Sequence, residues 1–401
     1  MAYKRPLVVM KKVHLKTLIL SQLIFLSVIA KANDIQIGDF YYELDTDNNN
    51  AEVIYSGATY KGNITIPSTI EYENVLYNVI SIGKEAFYNQ RQLNAIQLPN
   101  SLTSIGDKAF YQCVALSTID IPNHVKEIGI GAFCGCSSLD NIIIGEEVTT
   151  IGDEAFKDCV KLSSVVVPNS VVTIGSNAFS NCYVLASVFL GENLEELQSA
   201  AFGNCSHLSS IVIPDKVSVI GYYCFYECTE LSSVTIGNSV KSIKGYAFYK
   251  CEKIESVHFP NSVSTIGENA FQWCKNLKTI VLGSGTYSIG QFAFYPCASM
   301  TNVYCFAERV PWLGPDVFSR LDATLHVPAV SLEDYKSSSS WGKFANIVVL
   351  SDEDTSGIRV VQNGINTTES YSISGMFQSQ NVKGVSIIRQ KDGLTKKVII
   401  K

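Results

Sequence analysis

The strongest constraint on this 401-residue chain is an internal period. Ten phenylalanines, Phe87, Phe110, Phe133, Phe156, Phe179, Phe202, Phe225, Phe248, Phe271 and Phe294, follow one another at intervals of 23 residues with no insertion. The unit Val148–Ser170, VTTIGDEAFKDCVKLSSVVVPNS, shows the frame V-x-x-I-G-x-x-A-F-x-x-C-x-x-L-x-x-V-x-I-P-x-S that its neighbours keep. A unit this short cannot bury its own apolar groups. It must stack on copies of itself, so that one core runs continuously through all the coils.

The period also places the strands. Around Val165-Val166-Val167 the first and third residues recur as aliphatics, which is the in-out-in pattern of a strand. Proline or glycine follows (Pro99, Pro122, Gly145, Pro168, Gly191, Pro214, Gly237, Pro260, Gly283), often with Asn or Asp next, and this marks a turn. A second extended segment, such as Val171–Ile174, ends at a glycine such as Gly175. The stretch Asn177–Cys182 is too short for a regular helix and predicts a single helical turn. Ten coils at the strand spacing of ~4.8 Å make a mostly β solenoid about 45–50 Å long.

This frame resembles the BspA-like class of leucine-rich repeats, found in surface proteins of bacteria and of some parasitic protists, and the resemblance covers residues 81–350. It implies regular repeats over 81–306 and an irregular C-terminal capping repeat over 307–350. The latter contains Ala323-Thr324-Leu325-His326-Val327-Pro328, Tyr335 and Trp341-Gly342-Lys343-Phe344. Residues 33–80, with Phe40-Tyr41-Tyr42-Glu43-Leu44 and Asn63-Ile64-Thr65-Ile66-Pro67, are expected to form an N-terminal β cap. An uncapped end would expose the core and unpaired strand edges. The resemblance further implies a non-enzymatic recognition role, in adhesion to host matrix proteins, to other cells, or in protein–protein contact.

Both ends of the chain read differently from the repeats. Residues 1–32 carry a basic head, an apolar run from Leu18 to Ile29 and the small-x-small end Ala30-Lys31-Ala32. That is the pattern of a secretory signal peptide cleaved after Ala32, and the apolar run is shorter than the ~20 residues a spanning helix needs. An exported chain with no integral membrane span is therefore expected. Residues 351–370 are polar and repeat-free and read as a linker. Residues 371–401 resemble the C-terminal sorting tails of Gram-negative anaerobes, in which three short strands end in a basic hydrophobic one; Ser386 stands where such tails usually carry an aromatic residue. Of 31 basic residues, six lie in the signal segment, which leaves 25 against 37 acidic residues and a formal charge of −12. A chain this acidic, with no basic stripe in its repeats, is not expected to bind nucleic acid.

Nine of the 12 cysteines share one phase of the repeat: Cys113, Cys136, Cys159, Cys182, Cys205, Cys228, Cys251, Cys274 and Cys297, with Gln90 at that phase in the first unit. An oxidising compartment would permit a disulfide framework. Strict periodicity opposes it, because every rung then points its side chain the same way, whereas a disulfide needs facing Cβ vectors. The expected arrangement is a structural ladder of inward thiols packing as small hydrophobes. Of the off-ladder residues, Cys224 and Cys305 read as packing substitutions, and Cys134 as the more exposed one.

No catalytic constellation emerges. His124, His207, His258 and His326 lie at different phases, and no H-E-x-x-H, G-x-S-x-G or phosphate-loop pattern occurs. Ser81-x-x-Lys84 and Ser340-x-x-Lys343 lack partner motifs. Asp45–Asn50 lacks the glycine and glutamate of a calcium loop and reads as a polar hairpin tip. No metal or cofactor is expected. The outward-facing middle residues of the strands run Gln97, Asp120, Ile143, Val166, Phe189, Val212, Thr235, His258, Val281, Tyr304, flanked by small hydroxyl residues such as Ser164, Ser187 and Ser210. Such an apolar stripe on a β face suits a partner surface, with Ile143, Val166, Phe189, Val212, His258 and Tyr304 as candidate contacts. The same β-branched residues also simply suit a parallel sheet. The expected partner is a protein. The alternative, a glycan-binding accessory protein, predicts clustered aromatics with polar neighbours.

Overall fold

The structure, a computed structural model, describes residues 34–351 and the backbone of three further strands, Ser370–Ser372, Gly384–Arg389 and Thr395–Ile400. The signal segment lies outside the described residues, as do most of the linker and the rest of the tail. The three tail strands pair as one antiparallel sheet.

The repeats form a mostly β solenoid, and each coil contributes two short strands. The Thr-Ile strands, such as Thr150–Ile151 and Thr173–Ile174, stack in register into one parallel ladder. Twelve rungs run without interruption from Asn50–Val53 to Trp312–Leu313. The aliphatic side chain of each rung from Val53 to Ile289 is buried, and the next residue is usually a glycine lying against the coil below. At Gly152 an added Cβ would sit 2.9 Å from the backbone of Gly129, so the coils approach too closely for a side chain there. Glycine is replaced at this phase by Gln198 and Lys244. The hydrogen bonds to the coil below are then longer, 3.1 Å at Gln198 and 3.0 Å at Lys244, and 3.2 Å at Gly221 directly above Gln198, against 2.8 Å at Gly129 and Gly152.

The opposite strands, such as Ser164–Val166, bury their middle residue and expose the flanking ones, as the in-out-in pattern requires. They do not form the long continuous β face that the repeat suggests. Instead they divide into sheets of four, two, two and five strands. The breaks fall beneath the coils of Pro168, Pro214 and Pro260, and at Pro122 only the Ala95–Thr118 pair survives. The coils of Gly145, Gly191, Gly237 and Gly283 are each paired to the proline coil beneath them. Proline has no N–H to donate to the coil below. Phe306, at the same phase in the first coil with neither Pro nor Gly, donates to the Leu282 carbonyl at 3.0 Å, and its sheet continues. Glycine in turn permits a tight approach: an added Cβ at Gly191 would meet the Pro168 carbonyl oxygen at 2.3 Å. The two-coil alternation of Pro-Asn/Asp with Gly-x is locked by side chains, with Asn169 Oδ1 accepting from the Glu192 N–H at 3.0 Å and Asp215 Oδ1 from the Asn238 N–H at 2.8 Å.

Between the two strands, the A-F-x-x-C segment forms a tight turn rather than a regular helix, with left-handed backbone at two positions per coil, such as Asn177 and Asn181. This turn carries the phenylalanine ladder. The rings of Phe110 through Phe202 stack nearly parallel at 5.1–5.2 Å, one per coil and all fully buried. Each buried ring or aliphatic side chain contributes about 1.5–3 kcal/mol of transfer free energy, and every coil repeats the same set.

Both ends of the stack are closed by aromatics. At the start, Phe40 stacks on Tyr60 at 5.6 Å, and Tyr60 packs on Phe87 at 5.1 Å. The Asp45–Asn50 segment joins two antiparallel strands and is closed by Asn48, whose side-chain amide donates to Asp45 at 2.8 Å. At the far end, Phe318 extends the ring ladder past Phe294 at 5.7 Å and is covered by Trp341 and Phe344. Trp341 donates its indole N–H to the Pro311 carbonyl at 2.8 Å, and Tyr335, on the short helix Leu332–Ser337, donates its hydroxyl to the Ala307 carbonyl at 2.8 Å.

Candidate functional site

The outward strand residues sort into three environments. Ile143 and Val212 are 56% and 44% exposed. Val166 and Phe189 are half-buried and face each other across a paired rung, with Ile143 ending one sheet below them and Val212 beginning another above. The apolar column therefore crosses two breaks in the ladder. His258 and Tyr304, also half-buried, lie on a separate sheet with Val281 between them, which is only 4% exposed. The Nδ1 atom of His258 is buried without a hydrogen-bond partner, and burial pushes its pKa below the ordinary 6.5. Tyr304 stacks on His326 at 4.2 Å. Two of the six candidate contacts thus present mostly packed surfaces, and the other four, Ile143, Val166, Phe189 and Val212, form one apolar patch that is most open at Ile143 and Val212.

All twelve cysteines are buried and free. The nine ladder thiols share one geometry: Cys113 Sγ donates to the Phe87 carbonyl at 3.1 Å, Cys182 to Phe156 at 3.3 Å and Cys297 to Phe271 at 3.4 Å, always 26 residues back. Gln90 takes this place in the first coil because two groups of the cap need it. Its amide donates to the Ala58 carbonyl and its oxygen accepts from the Tyr60 N–H, both at 2.8 Å. Burial pushes the thiol pKa values up, to about 12 at Cys113 and about 11 at Cys134. Cys134 is 4% exposed, so it is not the accessible thiol that its position beside Phe133 suggests. Cys305 lies 3.1 Å from the buried Tyr335 hydroxyl.

The aromatics that the sequence reading passed over lie on the turns. Tyr223 stacks on Tyr246 at 4.8 Å, Tyr226 stacks on Tyr249 at 5.0 Å, and the two stacks touch edge to face, with Tyr222 exposed beside them. Their signal was present as tyrosines 23 residues apart, at two phases that the frame treats as variable. Charged side chains make similar coil-to-coil contacts, Lys250–Glu227 and Lys275–Glu252 each at 2.7 Å. Exposed pairs of this kind contribute about 0–1 kcal/mol each.

Among the described residues, no cluster of His, Cys, Asp or Glu has the arrangement of metal ligands, and no helix is long and apolar enough to cross a membrane. The Ser81 hydroxyl is bound to Glu52 at 2.8 Å rather than to a lysine.

The comparisons agree with this architecture. The family model for the BspA type leucine rich repeat region matches residues 62–186 and 195–324, in six copies. A leucine-rich repeat protein from Bacteroides ovatus is similar in structure, with a TM-score of 0.59 and 25% identity over 79% of this chain and 90% of its own. A leucine rich cell surface protein from Faecalibacterium prausnitzii has a TM-score of 0.51 and 26% identity over 82% of this chain and 98% of its own. No curated protein matches the chain. A 23-residue coil with a buried Phe ladder, a thiol bonded to the coil below and two strands per turn, matched by the family model over more than half of its length, makes this chain a member of the BspA-type leucine-rich repeat family.

Proposed function

We propose that this protein is a non-enzymatic recognition protein, exported and displayed at the cell surface, that binds a protein partner through the outward patch Ile143, Val166, Phe189 and Val212. The observation that carries this reading is that patch itself: four successive coils place an apolar side chain on the outer face, with Ile143 and Val212 about half exposed. Exposed apolar surface of this kind costs solubility in a monomer and gains free energy when a partner covers it. Surface display is supported by family membership, by the description of the F. prausnitzii neighbour and by the signal-like residues 1–32. The flanking residues of these strands, Asn141, Ser164, Ser187 and Ser210, are short polar side chains that leave its apolar groups open to a flat partner.

The test is a quadruple variant with Ile143, Val166, Phe189 and Val212 replaced by serine, compared with the parent chain for binding to immobilised host matrix proteins and to intact cells. The proposal predicts loss of binding with the melting temperature and circular dichroism of a folded solenoid. Equal binding by a folded variant would remove it. A serine scan of His258 and Tyr304 should leave binding nearly unchanged, because those side chains are committed to intramolecular packing.

A further inference from the structure

The C-terminal end of the solenoid carries a second recognition feature, independent of the apolar patch. Where the last ladder strand, Trp312–Leu313, meets the serine run before Trp341, the surface folds into a cleft of about 450 Å³. That volume falls within the range of about 300–1,000 Å³ common to small-ligand sites. Two of the most exposed aromatic side chains among the described residues line it, Trp312 at 62% and Tyr287 at 55%. They sit on adjacent rungs, since the Trp312 N–H donates to the Tyr287 carbonyl at 2.9 Å. The other polar lining is Arg309 and the hydroxyls of Ser338, Ser339 and Ser340.

Three properties of this cleft point to one ligand chemistry. An indole this exposed forgoes the burial that Trp341 obtains in the cap, so its face is available for an apolar surface. The lining holds no carboxylate, although the chain as a whole is acidic. Arg320 is held by Asp322 in a two-point ion pair, whereas the Arg309 guanidinium is held over the Tyr287 ring at 5.4 Å with its N–H donors free of any described acid. Serine hydroxyls complete the wall as small donor–acceptor groups. A pyranose is amphipathic in a matching way: its C–H face packs on the negative face of an aromatic ring, and its hydroxyl edge hydrogen-bonds. A carboxylate on that sugar would meet the guanidinium.

We infer that this cleft binds an acidic saccharide, with Trp312 stacking on the sugar face, Arg309 holding its carboxylate and Ser338–Ser340 meeting its hydroxyls. The walls are preorganised. The Pro311 carbonyl is fixed by the Trp341 indole, the Ser338 hydroxyl accepts from the Trp341 N–H at 3.3 Å, and Gly342 lies so close to Lys336 that an added Cβ would be 2.4 Å from its carbonyl oxygen. The tyrosine cluster of Tyr223, Tyr226, Tyr246 and Tyr249 does not compete for this role, because those rings already occupy one another's faces. An acidic peptide would use Arg309 equally well but would gain little from an open indole face beside serines.

The test is calorimetric titration of the full chain with hyaluronan hexasaccharide and 3′-sialyllactose, each against its neutral counterpart, chitohexaose and lactose, and with glucuronate alone as the free sugar acid. At least one acidic oligosaccharide should bind about tenfold more tightly than its neutral counterpart, the margin expected for one charge-assisted contact. Trp312→Ala should weaken that binding by about tenfold or more, and Arg309→Gln should abolish the preference for acidic over neutral sugar. Both side chains are exposed, so the variants should melt with the parent chain; Tyr287→Ala provides a third variant should either fail to fold. Binding by none of the acidic saccharides would overturn the proposal. So would binding unchanged in Trp312→Ala and Arg309→Gln, or an oligoglutamate peptide that binds the cleft more tightly than the sugars. Loss of the apolar patch by serine substitution should leave this binding intact, so the two surfaces fail or stand separately.

Discussion

A ladder cysteine does something that an aliphatic residue of its size cannot. It fills a small inward space and also adds a second hydrogen bond to a buried carbonyl of the coil below, Cys182 bonding Phe156 and Cys205 bonding Phe179, both at 3.3 Å. Replacing Cys182 by alanine should lower stability by about 0.5–1.5 kcal/mol, the net worth of one buried hydrogen bond to a carbonyl that keeps the Cys159 N–H at 3.3 Å, seen as a lower urea midpoint. The native chain at pH 8 should react with a thiol reagent at almost none of its twelve cysteines, because burial keeps them protonated and out of reach. Rapid native labelling would contradict that arrangement. His258 sets a pH dependence of opposite origin. Its folded pKa lies below the unfolded value of 6.5, so the unfolded chain binds the proton more readily. Its contribution to stability is therefore intact above pH 6.5 and is lost as pH falls through and below that value. Thermal melts from pH 7.5 to 5 should show this loss, and His258→Phe should flatten the slope. The cysteine phase was legible in the sequence as a small inward residue. Its hydrogen bond was not, because the acceptor lies 26 residues away and meets it only once the coils stack.

At the scale of the coil, the two strands obey different rules. The Thr-Ile strand keeps its ladder through all the regular repeats because it contains no proline, whereas the Ser-x-x strand loses pairing beneath the coils of Pro168, Pro214 and Pro260 and keeps one pair beneath that of Pro122. The sequence reading found both strands and the Pro/Gly turn between them. Proline and glycine both mark a turn at this phase, and turn character alone does not tell which coils pair. The alternation of Pro122, Gly145, Pro168, Gly191, Pro214, Gly237, Pro260 and Gly283 was there to be read, but its consequence depends on which coil lies above which. Gly191→Ala should destabilise by about 1–3 kcal/mol, since the added Cβ would meet the Pro168 carbonyl oxygen at 2.3 Å and force the coils apart. The rung linking Leu197 to Ile220 is the weakest interior step of the long ladder, with a single register pair and hydrogen bonds of 3.1 and 3.2 Å beside it. Hydrogen exchange should be faster at Gln198 and Gly221 than at Gly129 and Gly152, and equal protection would remove the inference.

Over the whole molecule, stability is a sum of similar interfaces closed at each end by aromatic caps. Trp341 seals the far end, being fully buried against Phe318 with its indole N–H bonded to Pro311. Trp341→Ala should cost about 3–5 kcal/mol and unfold the terminal coils before the middle of the stack, seen as early loss of protection around residues 294–327. What the sequence determined alone was the fold class, the register of ten coils, the identity of the core and the inward direction of the thiols. All of these follow from a local pattern repeated at fixed spacing, in which each residue's environment is set by its phase. Three things were decided only by the tertiary structure: the breaks in the outer sheet, the burial of His258 and Val281 in a column expected to be open, and the cleft where Tyr287, Arg309 and Trp312 meet the serines before Trp341. Each depends on contacts between different coils, or between the last coil and its irregular cap, where the phase of a residue no longer specifies its neighbours.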